Sequence, residues 1–124
     1  MYSEPQIVLC ESDNGSLEGY KVASDAVQVE NWFSKKGHKA PAYKEPLTIG
    51  FLNSLQVNED NRSNGEGNSL IESFLSECSE CDYIFLECDT GESNVFDLQK
   101  WYEGWGFEVF IDDEYPIMCL SQKE

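Results

Sequence analysis

"LTIGFLNSLQVNEDNRSNGEGNSLIESFL", residues 47–75, runs from a β-branched apolar segment to an amphipathic one through a polar turn. That turn holds Arg62, the only arginine of the chain, and a Gly-x-Gly. Residues 47–57 read as a central strand, with Gly50 as a bulge or a point of close backbone approach. From Gly67 onward, Leu70, Ile71, Phe74 and Leu75 mark one face of a helix running to about Ser79. A strand, a glycine turn and a helix start together make an anion site. The first free N–H groups and the positive end of the helix dipole face the anion, glycine admits it closely, and Arg62 adds a charged donor fork. An ordinary turn and helix cap is the plain alternative. Glu59, Asp60 and Glu66 weaken the local field, and one dipole contact contributes only ~0.3–1 kcal/mol, so several N–H groups must converge. The glycines lack the Lys-Ser/Thr of a P-loop and the third glycine of a dinucleotide fold.

Upstream, "QIVLCES" (6–12) reads as a strand, "DNGS" as a hairpin turn and "LEGYKVA" (17–23) as the return strand. Ser24 is the expected N-cap of a helix with Val29, Trp32 and Phe33 on its apolar face, ended by Gly37. "HKAPAYKEP" reads as a surface loop or a substrate rim, and it continues a stretch, 35–44, that holds four of the eight Lys and Arg side chains together with His38. Downstream, "CDYIFLECD" (81–89) is too short and too continuously apolar for anything but a buried strand. "VFDLQKWYEGWGF" (95–107) suggests a helix stopped by Gly104 or Gly106, and "FEVFIDD" and "PIMCLS" suggest two final strands around a turn at 114–116. This order predicts one domain over 1–124 of α/β or mixed α+β class.

Composition narrows the partners. Sixteen aromatic residues (7 Phe, 6 Tyr, 3 Trp) in 124 argue for a packed core. Eight basic against 24 acidic residues give a formal net charge of -16, which opposes nucleic acid and anionic membranes and favours basic partners. No apolar run is long enough to cross a bilayer, and "MYSEPQIVLC" lacks the features of a signal peptide, so a cytoplasmic location is expected. Five cysteines, an odd number, read as reduced thiols. Cys78 and Cys81 form a CxxC without a second pair, and with His38 as the only imidazole no metal site is expected.

"RSNGEG", Arg62 to Gly67, resembles the acetyl-coenzyme A motif of the GNAT N-acetyltransferase superfamily, Arg/Gln-x-x-Gly-x-Gly/Ala between a strand and a helix. "WYEGWGFE", Trp101 to Glu108, is similar to that family's aromatic-Tyr-x-x-x-Gly-Phe segment, and the two stand in the family's order. The resemblance covers about residues 47–120. It implies a central, mostly antiparallel sheet splayed at a cofactor cleft and flanked by helices, with the N-terminal pair of helices reduced to one.

The resemblance also implies acetyl-coenzyme A as co-substrate and direct attack by a primary amine, such as a protein lysine or another basic acceptor. Leu55 and Val57 would face the pantetheine arm, and Arg62, Asn64, Gly65, Glu66 and Gly67 the pyrophosphate. Asn94 would also contact the cofactor, although it stands eight residues before Tyr102, against the family's seven. Tyr102 would serve the departing thiolate, and Glu87 the acceptor proton, with Glu59 and Asp60 as alternates acting through water. Small-molecule and protein acceptors both stay open, and so does oligomerisation. The alternative is a GNAT-like acidic module of weak or no activity that binds a basic partner protein.

Overall fold

Alternating and continuous apolar runs become strands, and the 3.6-period runs become helices, over the described residues of the computed structural model: 4–13, 15–43, 47–57, 66–88 and 98–122. In chain order these are β1 (Gln6–Ser12), β2 (Gly15–Ala23), α1 (Val27–Ser34), β3 (Thr48–Val57), α2 (Glu66–Glu77), β4 (Tyr83–Glu87), α3 (Leu98–Gly104), β5 (Glu108–Ile111) and β6 (Ile117–Ser121). They build a six-stranded sheet in the order β1-β2-β3-β4-β6-β5. Every pairing is antiparallel except β3 with β4. The mixed α+β class, the mostly antiparallel sheet and the single helix in the N-terminal part agree with expectation.

The central strand β4 is buried on both faces, which is why it reads as an unbroken apolar run. Phe85 joins Val29, Trp32, Phe33, Ile49, Phe51 and Ile117 in a core beneath α1. Ile84 and Leu86 point the other way, into a core with Leu70, Ile71 and Phe74 of α2 and Tyr102 of α3. The carbonyl end of α2 is capped by two side chains. Lys21 Nζ donates to the Glu77 carbonyl (2.9 Å) and Gln122 Nε2 to that of Cys78 (2.6 Å), satisfying free acceptors, and the cation complements the negative end of the helix.

One local expectation needs correction, and one pair of alternatives is decided. Ser24 is not the N-cap of α1: that position is Ala26, in an extended conformation with no side-chain cap bond. Ser24 instead joins β2 to the start of β3, its N–H donating to the Leu47 carbonyl (2.8 Å) and its Oγ accepting from Leu47 N–H (2.9 Å). A bond holding two strand ends together takes the hydroxyl that a cap would use. Nor is Gly50 the bulge. The register of β3 against β2 shifts between Leu52 and Ser54, opposite Gly19 and Glu18, which leaves Asn53 as the extra residue. Gly50 is a point of close approach: a Cβ there would lie 3.2 Å from Ile84 Cγ1 and 3.4–3.5 Å from the sulfurs of Cys81 and Cys78. Both cysteines of the CxxC are therefore core side chains.

Gly37 ends α1 as expected. It has φ +80°, and His38 N–H reaches back to the Phe33 carbonyl and Gly37 N–H to that of Ser34. Gly106, not Gly104, ends α3, with φ +103°. Val95 and Phe96, expected at the start of that helix, lie outside the described residues.

Candidate active site at the split between two strands

The β3–β4 pair is held at one end and open at the other. At the closed end Thr48 N–H donates to Asp82 Oδ2 (3.0 Å) and Asp82 N–H to the Thr48 carbonyl (2.8 Å). Parallel pairing then runs only from Ile49↔Tyr83 to Leu52↔Leu86. Beyond that, each strand follows its outer neighbour. β3 stays with β2 as far as Gly15↔Val57, while β4 stays with β6 through Glu87↔Ile117 and a bond from Cys88 N–H to the Pro116 carbonyl (2.8 Å). Among the described residues no strand pairs with β3 on its β4 side from Asn53 to Val57. The bulge at Asn53 begins this open limb, and Trp32 secures it by donating from Nε1 to Asn53 Oδ1 (3.0 Å).

Leu55 and Val57 both sit on the open limb, and Leu55 is half-buried against the core under α2. Glu66 and Gly67 form the first turn of α2. Arg62, Asn64, Gly65 and Asn94, with the alternates Glu59 and Asp60, lie outside the described residues.

Glu87 and Tyr102 lie on opposite faces of the sheet, both at β4. Tyr102 is 4% exposed and packs in the α2-side core with Leu86 and Cys88. Its ring sits edge-on to Trp101 (5.1 Å between centroids) and Phe107 (5.8 Å). The helix stop explains the second contact. Phe107 N–H returns to the Tyr102 carbonyl (3.2 Å) and Gly106 N–H to that of Glu103 (3.0 Å), a left-handed cap that folds Phe107 onto Tyr102. The Tyr-x-x-x-Gly-Phe spacing is thus a helix terminus that fixes the tyrosine ring. Burial, and secondarily the Cys88 thiol, push the Tyr102 phenol well above its ordinary value, so it holds its proton into the alkaline range, beyond an exposed tyrosine.

Glu87 ends β4, exposed, on the same face as Phe85 and α1. Lys36 lies near it, with its ammonium 4.1 Å from the centroid of the Trp32 ring. Burial lowers the Lys36 pKa, the Glu87 charge opposes that shift and Lys35 adds to it. His38 Nε2 meets Asp113 Oδ2 at 2.9 Å and ties this rim to the β5–β6 turn.

Sequence reasoning missed three supporting residues. Asn68 Oδ1 accepts from Trp101 Nε1 (3.1 Å), binding α3 to the first turn of α2, so the helix start and Tyr102 share one side of the split. Asn53 is the bulge residue, signalled only by being polar within an apolar strand. Lys36 is the cation beside Glu87, and nothing in the sequence separates it from Lys35. Among the described residues no group of three or more His, Cys, Asp or Glu side chains could hold a metal ion. No helix among them is long and apolar enough to cross a membrane.

No protein-family model matches the chain, and no curated protein matches it by sequence. Solved structures do. A chain of the NatC complex bound to Gag peptide and CoA is 19% identical, with a TM-score of 0.56 over 87% of this chain and 60% of that one. Arabidopsis thaliana NAA60 in complex with a bisubstrate analogue is 13% identical, TM-score 0.59, over 87% and 64%. An acetyltransferase from Bacillus cereus is 12% identical, TM-score 0.59, over 95% and 73%. The chain therefore spans less than two thirds of the NatC and NAA60 chains. At these identities the likeness is one of fold, and that fold is GNAT-like.

Proposed function

We propose, from a GNAT-like fold whose sheet parts between β3 and β4, that the chain is an N-acetyltransferase. It would transfer the acetyl group of acetyl-coenzyme A to a primary amine by direct attack. The observation that carries this reading is the split itself, with a protonated tyrosine on one face and a carboxylate on the other. The NatC and NAA60 neighbours, solved with CoA and with a bisubstrate analogue, support it.

The described residues fit such a co-substrate. The open limb from Asn53 to Val57 offers main-chain donors and acceptors to an amide-bearing arm, as a strand edge does, with Leu55 and Val57 along it. The first turn of the twelve-residue helix α2, from Glu66 and Gly67, would present N–H groups to phosphate. Arg62, Asn64 and Gly65, which precede it in the sequence and lie outside the described residues, are assigned to the same group by the motif alone. Acetyl-coenzyme A supplies an acyl group already activated as a thioester. The protein positions the amine and manages protons. A lysine-like amine of pKa ~10.4 costs about 4–5 kcal/mol to present neutral at pH 7, at ~1.4 kcal/mol per unit. Glu87, at the rim near Lys36, receives that proton. Tyr102 holds its own proton toward the sulfur side of the split and stabilises charge as it develops there.

A thermal-shift titration tests the reading. Acetyl-coenzyme A at 100 times its dissociation constant should stabilise the protein by ~2.7 kcal/mol, or about 10 °C in Tm for a domain of this size. Arg62→Ala should shift the titration to higher concentration while leaving the unliganded Tm in place. No stabilisation at millimolar acetyl-coenzyme A would remove the basis for the proposal.

A further inference from the structure

Among the described residues the two edge strands of the sheet, β1 and β5, are built differently. β5 has four residues, a register break between Val109 and Ile111 and a glutamate at its start, features that blunt an edge against pairing. β1 has seven residues in unbroken register with β2, from Gln6↔Lys21 to Ser12↔Gly15, and neither lysine nor proline within it. Ile7 and Leu9 are 62% and 55% exposed on its open face. Among the described residues nothing pairs with its outer edge. On the other face α2 stands back, leaving a trough of about 380 Å³ lined by Ser69, Ser73 and Glu77, one helical stripe, beside Val8 and Cys10 of β1. A long, flat, partly apolar edge beside a trough is a template for an added strand.

Charge selects the strand. Glu4, Glu11 and Asp13 are exposed on or beside β1, Glu18 of β2 stands next to Leu9, and Glu77 faces the trough. Lys21, the nearest described cation, is buried and bound to Glu80 and the Glu77 carbonyl. A formal charge of -16 on each copy opposes pairing of β1 with a second copy of the chain. We infer that β1 is the docking edge for an extended basic segment of a partner protein. The segment adds as a strand, with basic side chains on the trough side toward Glu77 and aliphatic ones over Ile7 and Leu9. β2 and β3 separate this edge from the β3–β4 split, so the inference does not depend on acetyl transfer.

The probe is a nonapeptide alternating Arg and Val, with N-terminal fluorescein and a C-terminal amide, so that it carries no primary amine to serve as an acceptor. It should bind the full chain by fluorescence anisotropy, weaken as salt rises from about 0.05 M to about 0.5 M, and slow amide exchange at residues 6–12. Binding should fall at least tenfold for a Glu-Val peptide and for an Arg-Val peptide N-methylated at every residue, which has no backbone N–H to donate along either edge. The same loss is expected for the double variant Ser73→Lys/Glu77→Lys, both exposed positions of α2 on the trough, with its Tm unchanged. Equal binding by either control peptide, undiminished binding to the double variant, or protection elsewhere in the sheet would overturn the inference. So would a sedimenting dimer dispersed by Ile7→Lys/Leu9→Lys, since β1 would then belong to a second copy.

Discussion

Replacing Tyr102 by phenylalanine removes one oxygen and leaves the ring against Trp101 and Phe107, so the fold should survive with a change of at most about 1.5 kcal/mol, one hydrogen bond's net contribution. The effect belongs to the chemistry, and burial sets its size. The phenol is held above its ordinary value of 10.0, while a departing thiol has a pKa of ~8.5. Full proton transfer is thus uphill by more than ~2 kcal/mol, at ~1.4 kcal/mol per unit. Tyr102 therefore acts by donating a hydrogen bond to charge developing on sulfur, and a hydrogen bond to a charged group contributes ~1.5–3 kcal/mol. Tyr102→Phe should lower kcat by about 10- to 150-fold with little change in affinity for acetyl-coenzyme A. Initial rates of thiol release across polyamines, aminoglycosides and basic peptides measure the first quantity, and thermal-shift titration the second. A kcat within twofold of the parent, or an affinity loss as large as the rate loss, would refute the assigned role.

Two further outcomes follow from packing and burial. Gly19→Ala would drive a Cβ into the Phe51 carbonyl oxygen and to 2.7 Å and 2.9 Å from ring carbons of Phe74. It should cost ~1–3 kcal/mol, roughly 4–12 °C in Tm, whereas Gly104→Ala, with nothing within 4 Å, should be neutral or stabilising; scanning calorimetry compares the pair. Burial raises the pKa of Tyr20, Tyr43, Tyr102 and Cys119, the last from 9.0 to about 12 with help from Glu108. A raised folded value means that the neutral form is favoured on folding. This stability is fully present below the unfolded value and is lost as pH climbs through the folded one. Urea unfolding should therefore give a flat stability to about pH 8.5 and a decline through the Cys119 window of 9.0 to about 12; a stability that rises there contradicts the assignment.

Much of the fold was legible because the signals are local. β4 was readable as a buried strand from five residues with no polar break before Glu87, and α1 from the spacing of Val29, Trp32 and Phe33. Gly37 marked a helix end because only the left-handed conformation satisfies the last carbonyls there. Ser24 misled for the opposite reason. A serine before a helix is a cap only if its hydroxyl has no better partner, and here Leu47, distant in sequence, supplies one. Gly50 read as either a bulge or a point of close approach, and it is the second; the bulge lies at Asn53, where the indole of Trp32 holds an amide side chain in place. Asn68 and Lys36 escaped notice for the same reason, since their partners lie on other elements.

The sequence by itself determined which described segments are strands and helices, the mixed class and the acidity, because each follows from a period, a turn residue or a charge count; the candidate residues rest on the resemblance of two motifs to a family. Only the tertiary structure decided that the sheet opens between β3 and β4, since the opening results from two strands each keeping a different outer neighbour past Leu52 and Leu86. It also decided that Tyr102 and Glu87 stand on opposite faces of the sheet, and that burial raises the phenol further above its ordinary value. The same holds for β1, an ordinary amphipathic strand in the sequence, whose free edge exists only because the sheet order ends there.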